Sequence, residues 1–313
     1  MRIGAQTLTL LGSPRIFLIL RSLAEGTKGQ RELRRDAGAP AQSTLRGHLR
    51  TLEESGIVAR RRLDSFPGTL EYDLTEAGRE LIVVAACLER WLSEAPREGF
   101  ELGSDPARAA IKGLVDGWSA AVLTALADGP LSLTELDKRI SAISYPTLER
   151  CLETMRLAEQ LDVGARSSRG TPYALTDWLR RGLTPLALAA RWEHRHRPDG
   201  VESICQGDID DAILLGGPLF KLEGRLSGVC QLAVRIPAGK KHRRALGFLE
   251  VRDGRMTFAS SLPEAEPDVL ASGTVDSWFS TLIDADTTGL RLDGDRKLAG
   301  AVLASFHEAL FRG

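Results

Sequence analysis

Leu23-Ala24-Glu25-Gly26, Glu32-Leu33, Thr44-Leu45, Leu49 and Leu52 are answered 103 positions later by Leu126-Ala127-Asp128-Gly129, Glu135-Leu136, Thr147-Leu148, Leu152 and Met155. After a small shift the match resumes. Gly68-Thr69-Leu70-Glu71-Tyr72-Asp73-Leu74-Thr75 pairs with Gly170-Thr171-Pro172-Tyr173-Ala174-Leu175-Thr176, and Trp91 pairs with Trp192. One unit has been duplicated, so a reading of the first copy predicts the fold of the second.

Within the first copy, Ile16, Phe17, Ile19, Leu20 and Leu23 recur at helical spacing after Ser13-Pro14, a cap and first helical position. Gly26 ends that helix. Gln30 to Arg35 reads as a short second helix with Leu33 inward, and Ala37-Gly38-Ala39-Pro40 as a turn. Ser43 to Glu54 is amphipathic: Leu45, Leu49 and Leu52 face a core, which leaves Ser43, Thr44, Arg46, His48 and Arg50 on other faces. Ser55-Gly56 closes it. Ile57 to Leu63 and Thr69 to Leu74 form a hairpin around the loop Asp64 to Gly68, with an arginine-rich outgoing arm. Thr75-Glu76-Ala77-Gly78-Arg79 then caps a long helix striped by Leu81, Val84, Leu88 and Trp91. This order of elements is that of a winged helix-turn-helix, and two in one chain look like a DNA-binding dimer made covalent.

The first copy resembles the HxlR-type winged-helix regulators, a branch near MarR. The resemblance is carried by Arg31-Glu32-Leu33, by the run Leu49 to Val58, and by Tyr72-Asp73-Leu74-Thr75-Glu76-Ala77-Gly78, and covers most of residues 10–95. It implies that the third helix enters the major groove of double-stranded DNA, that the wing touches flanking backbone, and that the last helix dimerises. Short polar and arginine side chains suit base edges, so Gln42, Ser43, Thr44 and Arg46 are the candidate readers. Arg50 is better placed for phosphate. Arg60, Arg61 and Arg62 suit phosphate or the minor groove. The plain alternative is a solvated charged surface.

Net charge is −1, which alone argues against a nucleic-acid partner. Its distribution reverses that argument. Residues 1–63 carry 12 Lys+Arg against 5 Asp+Glu, whereas residues 104–165 carry 6 against 9. In the second copy Glu149, Cys151 and Glu153 replace Arg46, His48 and Arg50, although its hairpin keeps Arg166 and Arg169. Leu114-Val115-Asp116-Gly117-Trp118 resembles the family's entry to the first helix better than the first copy does. Either this module docks weakly, through Arg150, Arg156 and its wing, or it serves as the built-in dimer partner. A weakened or altered DNA role is favoured, and a carboxylate can still accept from cytosine N4. Leu183, Leu186, Ala190 and Trp192 are expected to face the first copy's stripe in an intramolecular pseudo-dimer, with Pro185 starting or interrupting the second stripe. Further homodimerisation stays open.

The length of 313 residues suggests two or three domains, here 1–100, 101–198 and 199–313, in an α+β chain. Hydrophobic content of 43% and charged content of 27% fit soluble globular domains. No long apolar run predicts a membrane span, and the N-terminus lacks the apolar core of a signal peptide, so a cytoplasmic location is expected. Cys87, Cys151, Cys205 and Cys230 show no metal-ligand spacing and read as buried reduced thiols. Arg195 to Gly200 reads as a linker; His194 and His196, two apart, share no helix face, so no metal is expected there.

Beyond residue 200 the period becomes two. Leu219 to Leu226, Val229 to Ile236, Gly247 to Arg252, Arg255 to Ala259 and Pro267 to Gly273 read as strands; Thr274 caps a helix to Leu282, and Leu290 to Asp295 leads into a last helix from Arg296 to Phe311. Asp208, Asp210 and Asp211 read as a solvated loop. Residues 215–312 resemble the sterol-carrier-protein type fold, on Gly254-Arg255-Met256-Thr257-Phe258, Leu270, Gly273 to Trp278, and Leu292 to Leu298. That resemblance implies a sheet and helices around an apolar tunnel, with a hydrophobic small molecule or lipid as effector and no cofactor. Candidate lining residues are Phe258, Trp278, Phe279, Leu282, Leu303 and Phe306, unless these simply fill a core. A ligand-responsive transcription regulator is the leading expectation. A sequestration protein using the winged helices as scaffold is the alternative. No catalytic fingerprint occurs, so an enzyme is not expected.

Overall fold

The computed structural model describes residues 3–62, 70–126, 129–166, 170–197, 204–220, 222, 225–238, 241–259 and 266–311. The first half comprises α1 (Ala5–Leu11), α2 (Pro14–Ala24), β1 (Lys28–Gly29), α3 (Gln30–Asp36), α4 (Gln42–Glu54), β2 (Val58–Arg62), β3 (Leu70–Leu74) and α5 (Glu76–Ser93). The same order then recurs: α6 (Asp105–Val115), α7 (Gly117–Leu126), β4 (Leu131–Ser132), α8 (Leu133–Arg139), α9 (Tyr145–Leu157), β5 (Leu161–Val163), β6 (Pro172–Leu175), α10 (Asp177–Arg181) and α11 (Leu183–His196).

The sheets have matching orders, β1-β3-β2 and β4-β6-β5, all antiparallel. Tyr72 sits between Lys28 and Arg60 in the first; Tyr173 sits between Leu131 and Val163 in the second. Each hairpin returns to a threonine cap. Thr75 Oγ1 accepts from Gly78 N (3.0 Å), and Thr176 Oγ1 accepts from Leu179 N (3.2 Å). Each cap ties a helix start to its hairpin, because Thr75 N donates to Ile57 O and Thr176 N to Gln160 O. Gly78 is required by this closeness, since a Cβ there would lie 2.2 Å from Ile57 O.

The last helix differs between the halves. α5 is continuous over 18 residues, while its counterpart breaks at Gly182 into α10 and α11. A Cβ on Gly182 would stand 3.1 Å from the Trp91 ring and 2.8 Å from Leu179 O, so the break lets Trp91 approach.

The C-terminal third comprises α12 (Gln206–Gly216), β7 (Gly228–Ala238), β8 (Lys241–Arg252), β9 (Arg255–Ala259), β10 (Val269–Thr274), α13 (Val275–Asp284), β11 (Arg291–Gly294) and α14 (Arg296–Phe311). Its sheet order is β11-β10-β7-β8-β9, antiparallel except for the parallel pair β10 and β7. α12 lies against β8, and α13 and α14 lie against β7 and β10.

Three sequence expectations are corrected here. Residues 219–226 form no strand among those described: Gly217–Leu219 is a 3-10 turn, and Phe220 and Leu222 are buried without a ladder partner. Their alternation reports burial alone, and Gly216-Gly217-Pro218 turns the chain. Asp208 and Asp210 lie in α12 rather than in a loop, with Asp208 capping that helix through Cys205 N (2.9 Å). Arg195 and His196 belong to the last turn of α11 and not to a linker. Among the described residues no single helix is long and apolar enough to cross a membrane.

Candidate nucleic-acid interface and apolar cavity

Leu45, Leu49 and Leu52 anchor α4 completely, which fixes what the rest of the helix presents. At roughly 100° per residue, Ser43, Arg46 and Arg50 fall within one arc of roughly 60°; all three are exposed, as is Gln42. Thr44 and His48 fall on the other flank and are half-buried. His48 therefore leaves the set of outward side chains: its Nε2 is enclosed without a hydrogen-bond partner, and burial, helped by Arg15, lowers its pKa. β2 continues the cationic surface. Val58 is buried, but Arg60, Arg61 and Arg62 are all exposed, so this strand has lifted off the core. Arg50 Nε and Arg60 Nε each lie 3.8 Å from a carboxylate, of Glu54 and Glu53 respectively. Among the described residues, Arg46, Arg61 and Arg62 form no such ion pair.

The equivalent helix α9 buries Leu148, Leu152 and Met155 and exposes Glu149, Arg150, Glu153 and Arg156. Cys151 is half-buried beside Met155, as His48 is in α4. Carboxylates thus occupy the outward positions that Arg46 and Arg50 hold in the first copy. Apolar side chains join them, with Tyr145 44% and Leu157 59% exposed. Arg166 is exposed just past β5; Arg169 lies outside the described residues.

Between the halves, α5 packs on α11. Trp91 stacks on Trp178 at 4.8 Å and 9°, and Phe100 meets Trp178 edge-on. Trp91 Nε1 donates to Trp178 O (2.8 Å), and Trp192 Nε1 donates to Ala77 O (2.8 Å). Ala77 and Trp178 each follow a threonine cap by two residues, so the two bonds join equivalent positions, one offset of 101 residues apart. Arg181–Glu94 (3.4 Å) and Arg195–Glu80 (4.0 Å) obey the same offset with the charges exchanged. α1 also docks across the junction: Gly4 N and Thr7 N donate to the buried Glu193 carboxylate at 2.7 and 2.8 Å. Trp178 and Glu193 escaped sequence reasoning. The repeat carries no signal for Trp178, because its counterpart 101 residues earlier is Ala77.

Of the second stripe, Trp192 meets α5 through Ala77 O, while Leu186 and Ala190 meet the first half at Gly4. Leu183, Leu186 and Ala190 also face the C-terminal third, where they wall a cavity of about 190 Å³. Trp278, Phe279, Leu282 and Phe306 line it too. Leu303 does not: it is 2% exposed and fills the core. Phe258 lies in β9, but its side chain is outside the description. Trp278 Nε1 is satisfied by Ala233 O (3.0 Å), so the ring presents its apolar part. The cavity is shared between α11, α12 and the C-terminal elements rather than enclosed within one domain.

No disulfide joins any of the four cysteines. Burial pushes Cys87 up to about 11 and Cys230 up to about 12. Cys205 is exposed, against expectation, because it precedes α12 instead of packing in it.

A helix-turn-helix with a cationic β-hairpin beside its third helix defines the first half as a winged helix-turn-helix. Residues 10–98 match the HxlR-like helix-turn-helix family. The HTH-type transcriptional regulator YybR of Bacillus subtilis is 33% identical over 95 residues, 30% of this chain and 75% of that protein. An HTH-type transcriptional regulator of Mycobacterium tuberculosis is 38% identical over 89 residues, 28% of this chain and 56% of its own length. The match thus spans little more than half of that relative. The reduced form of the Bacillus subtilis transcriptional regulator YodB shares 31% identity over 29% of this chain and 88% of its own, with a TM-score of 0.27. Through its first hundred residues this chain belongs to the HxlR-like helix-turn-helix family.

Proposed function

We propose that this protein is a DNA-binding transcriptional regulator built as an intramolecular winged-helix pseudo-dimer, modulated by a hydrophobic molecule held at its C-terminal third. The observation that carries the proposal is the exposed arc Ser43, Arg46 and Arg50, continued by Arg60, Arg61 and Arg62, over a leucine face that is wholly buried. In this reading residues 1–100 hold the duplex, with Gln42, Ser43 and Arg46 at base edges and the other arginines on phosphate. Residues 101–198 stand where the second subunit of a dimer would. The paired Trp91 and Trp192 hydrogen bonds, related by one offset, support that role. Glu149 and Glu153 oppose close phosphate contact by the second module, which leaves Arg166 and Arg169 of its wing as its cationic contribution. Residues 199–313 supply the sensor, as the resemblance to sterol-carrier proteins suggests, and the cavity shared with α11 gives a ligand a route to the DNA-binding half.

The test is the mass of the complex formed with a short duplex from the protein's own upstream region. One chain per site is expected. A complex needing two chains per site would refute the pseudo-dimer. No duplex binding at all would favour a sequestration protein with the winged helices as scaffold.

A further inference from the structure

We infer that the cavity between α11, α12 and the C-terminal sheet takes a compact, uncharged aromatic molecule of one or two fused rings, and not a fatty acyl chain. The inference rests on the reading of this cavity as the effector site and specifies what that effector is. Size is the first argument. A dry apolar cavity of about 150 Å³ accommodates benzene, and this one is about 190 Å³. A long acyl chain is larger than this and would leave part of its length outside.

Wall chemistry is the second argument. Phe220, Trp278, Phe279 and Phe306 line the cavity, and Phe220 already meets Phe306 edge-to-face at 4.5 Å. Rings arranged this way favour an aromatic guest. Among the described lining residues Asp208 is the only charged one, and its carboxylate accepts from Cys205 N. A carboxylate-headed lipid would set a second negative charge beside it, in apolar surroundings where repulsion is poorly screened.

Position is the third. The α11 wall is also the surface on which α1 docks: a Cβ on Gly4 would lie 2.8 Å from Leu186 O and 2.9 Å from Ala190 N, and Ile3 itself lines the cavity. The same helix holds α13 through Arg191–Asp284 (2.8 Å) and the first half through Trp192. A guest in the cavity therefore bears on the element that joins all three parts.

Titration calorimetry on the full chain, with naphthalene against dodecanoate, tests the inference. Naphthalene should bind and dodecanoate should not. Ala212→Trp, at the exposed rim, should weaken naphthalene binding by about tenfold or more, and Ala187→Phe, on the α11 wall, should do the same should the first variant not fold. Binding of dodecanoate in preference, absence of naphthalene binding, or indifference to both substitutions overturns the inference. If naphthalene binds as described but leaves duplex affinity unchanged, the regulatory reading fails and the ligand class stands. If duplex binds and naphthalene does not, the reverse holds.

Discussion

Replacing Arg46, Arg61 and Arg62 together by alanine should flatten the salt dependence of duplex binding by a calculable amount. Arg50 and Arg60 are partly engaged by Glu54 and Glu53, each 3.8 Å away, so the three others are the cations freest to displace counterions. Each phosphate neutralised contributes about 0.9 to the slope of log affinity against log salt. Losing three lowers that slope by about 2.7. Across a fourfold rise, from about 50 to about 200 mM salt, the parent protein should then lose about 40-fold more affinity than the variant. Fluorescence anisotropy with a labelled duplex of arbitrary sequence suffices, because this contribution does not depend on sequence. All three side chains are exposed, so folding stability should change by less than about 0.5 kcal/mol. Arg150→Ala with Arg156→Ala provides the comparison, and should change the slope far less. An unchanged slope in the triple variant would refute the assignment of these arginines to phosphate. An equal effect from Arg150 and Arg156 would refute the asymmetry between the copies.

Glu193→Leu removes both acceptors at the start of α1 and leaves Gly4 N and Thr7 N buried without partners; it should cost about 3 kcal/mol in urea unfolding, and Glu193→Gln about half as much. Near-neutral results for both would mean that α1 does not dock there. His48 has its pKa lowered by burial, so the unfolded chain takes up its proton more readily than the folded one. Stability should fall as pH drops through the ordinary histidine range and level off below the depressed value. His48→Gln should remove that part of the pH profile, measured as the melting temperature against pH.

The first half was legible because one leucine spacing dictates it: Leu45, Leu49 and Leu52 fix which arginines of α4 face outward. α1 was not. Leu8 and Leu11 are buried, but a seven-residue helix is too short to show a period, and the docking that orders it comes from Glu193, far along the chain. α12 was hidden for the opposite reason, since its three aspartates resemble a solvated loop while Asp208 is acting as a cap. The cavity was half legible. Its aromatic lining could be listed from α13 and α14, but no local pattern says that Leu183, Leu186 and Ala190 of α11 complete the wall. The break at Gly182 was hidden likewise, because it becomes meaningful only once Trp91 is seen against it.

The equivalent helices of the two halves serve different contacts. Val83 on α5 is 60% exposed, whereas Thr184, at the equivalent place, gives its hydroxyl to Leu310 O of α14 (2.6 Å). Val83 thus stays open to solvent, while its counterpart is tied to the C-terminal third. The ion pairs between the halves, Arg181–Glu94 and Arg195–Glu80, have partly exposed side chains and contribute at most about 1 kcal/mol each. The stacked pair Trp91 and Trp178 adds about 0.5–1.5 kcal/mol beyond the area it buries. Its indole hydrogen bonds are buried, where losing a partner is expensive. The junction is therefore stiff at the tryptophans and soft at its charged margins. A ligand pressing on α11 would turn that helix about the Trp91–Trp178 contact more easily than it would pull the halves apart. Changes in duplex affinity should then come from a changed angle between the modules, with the pair itself intact.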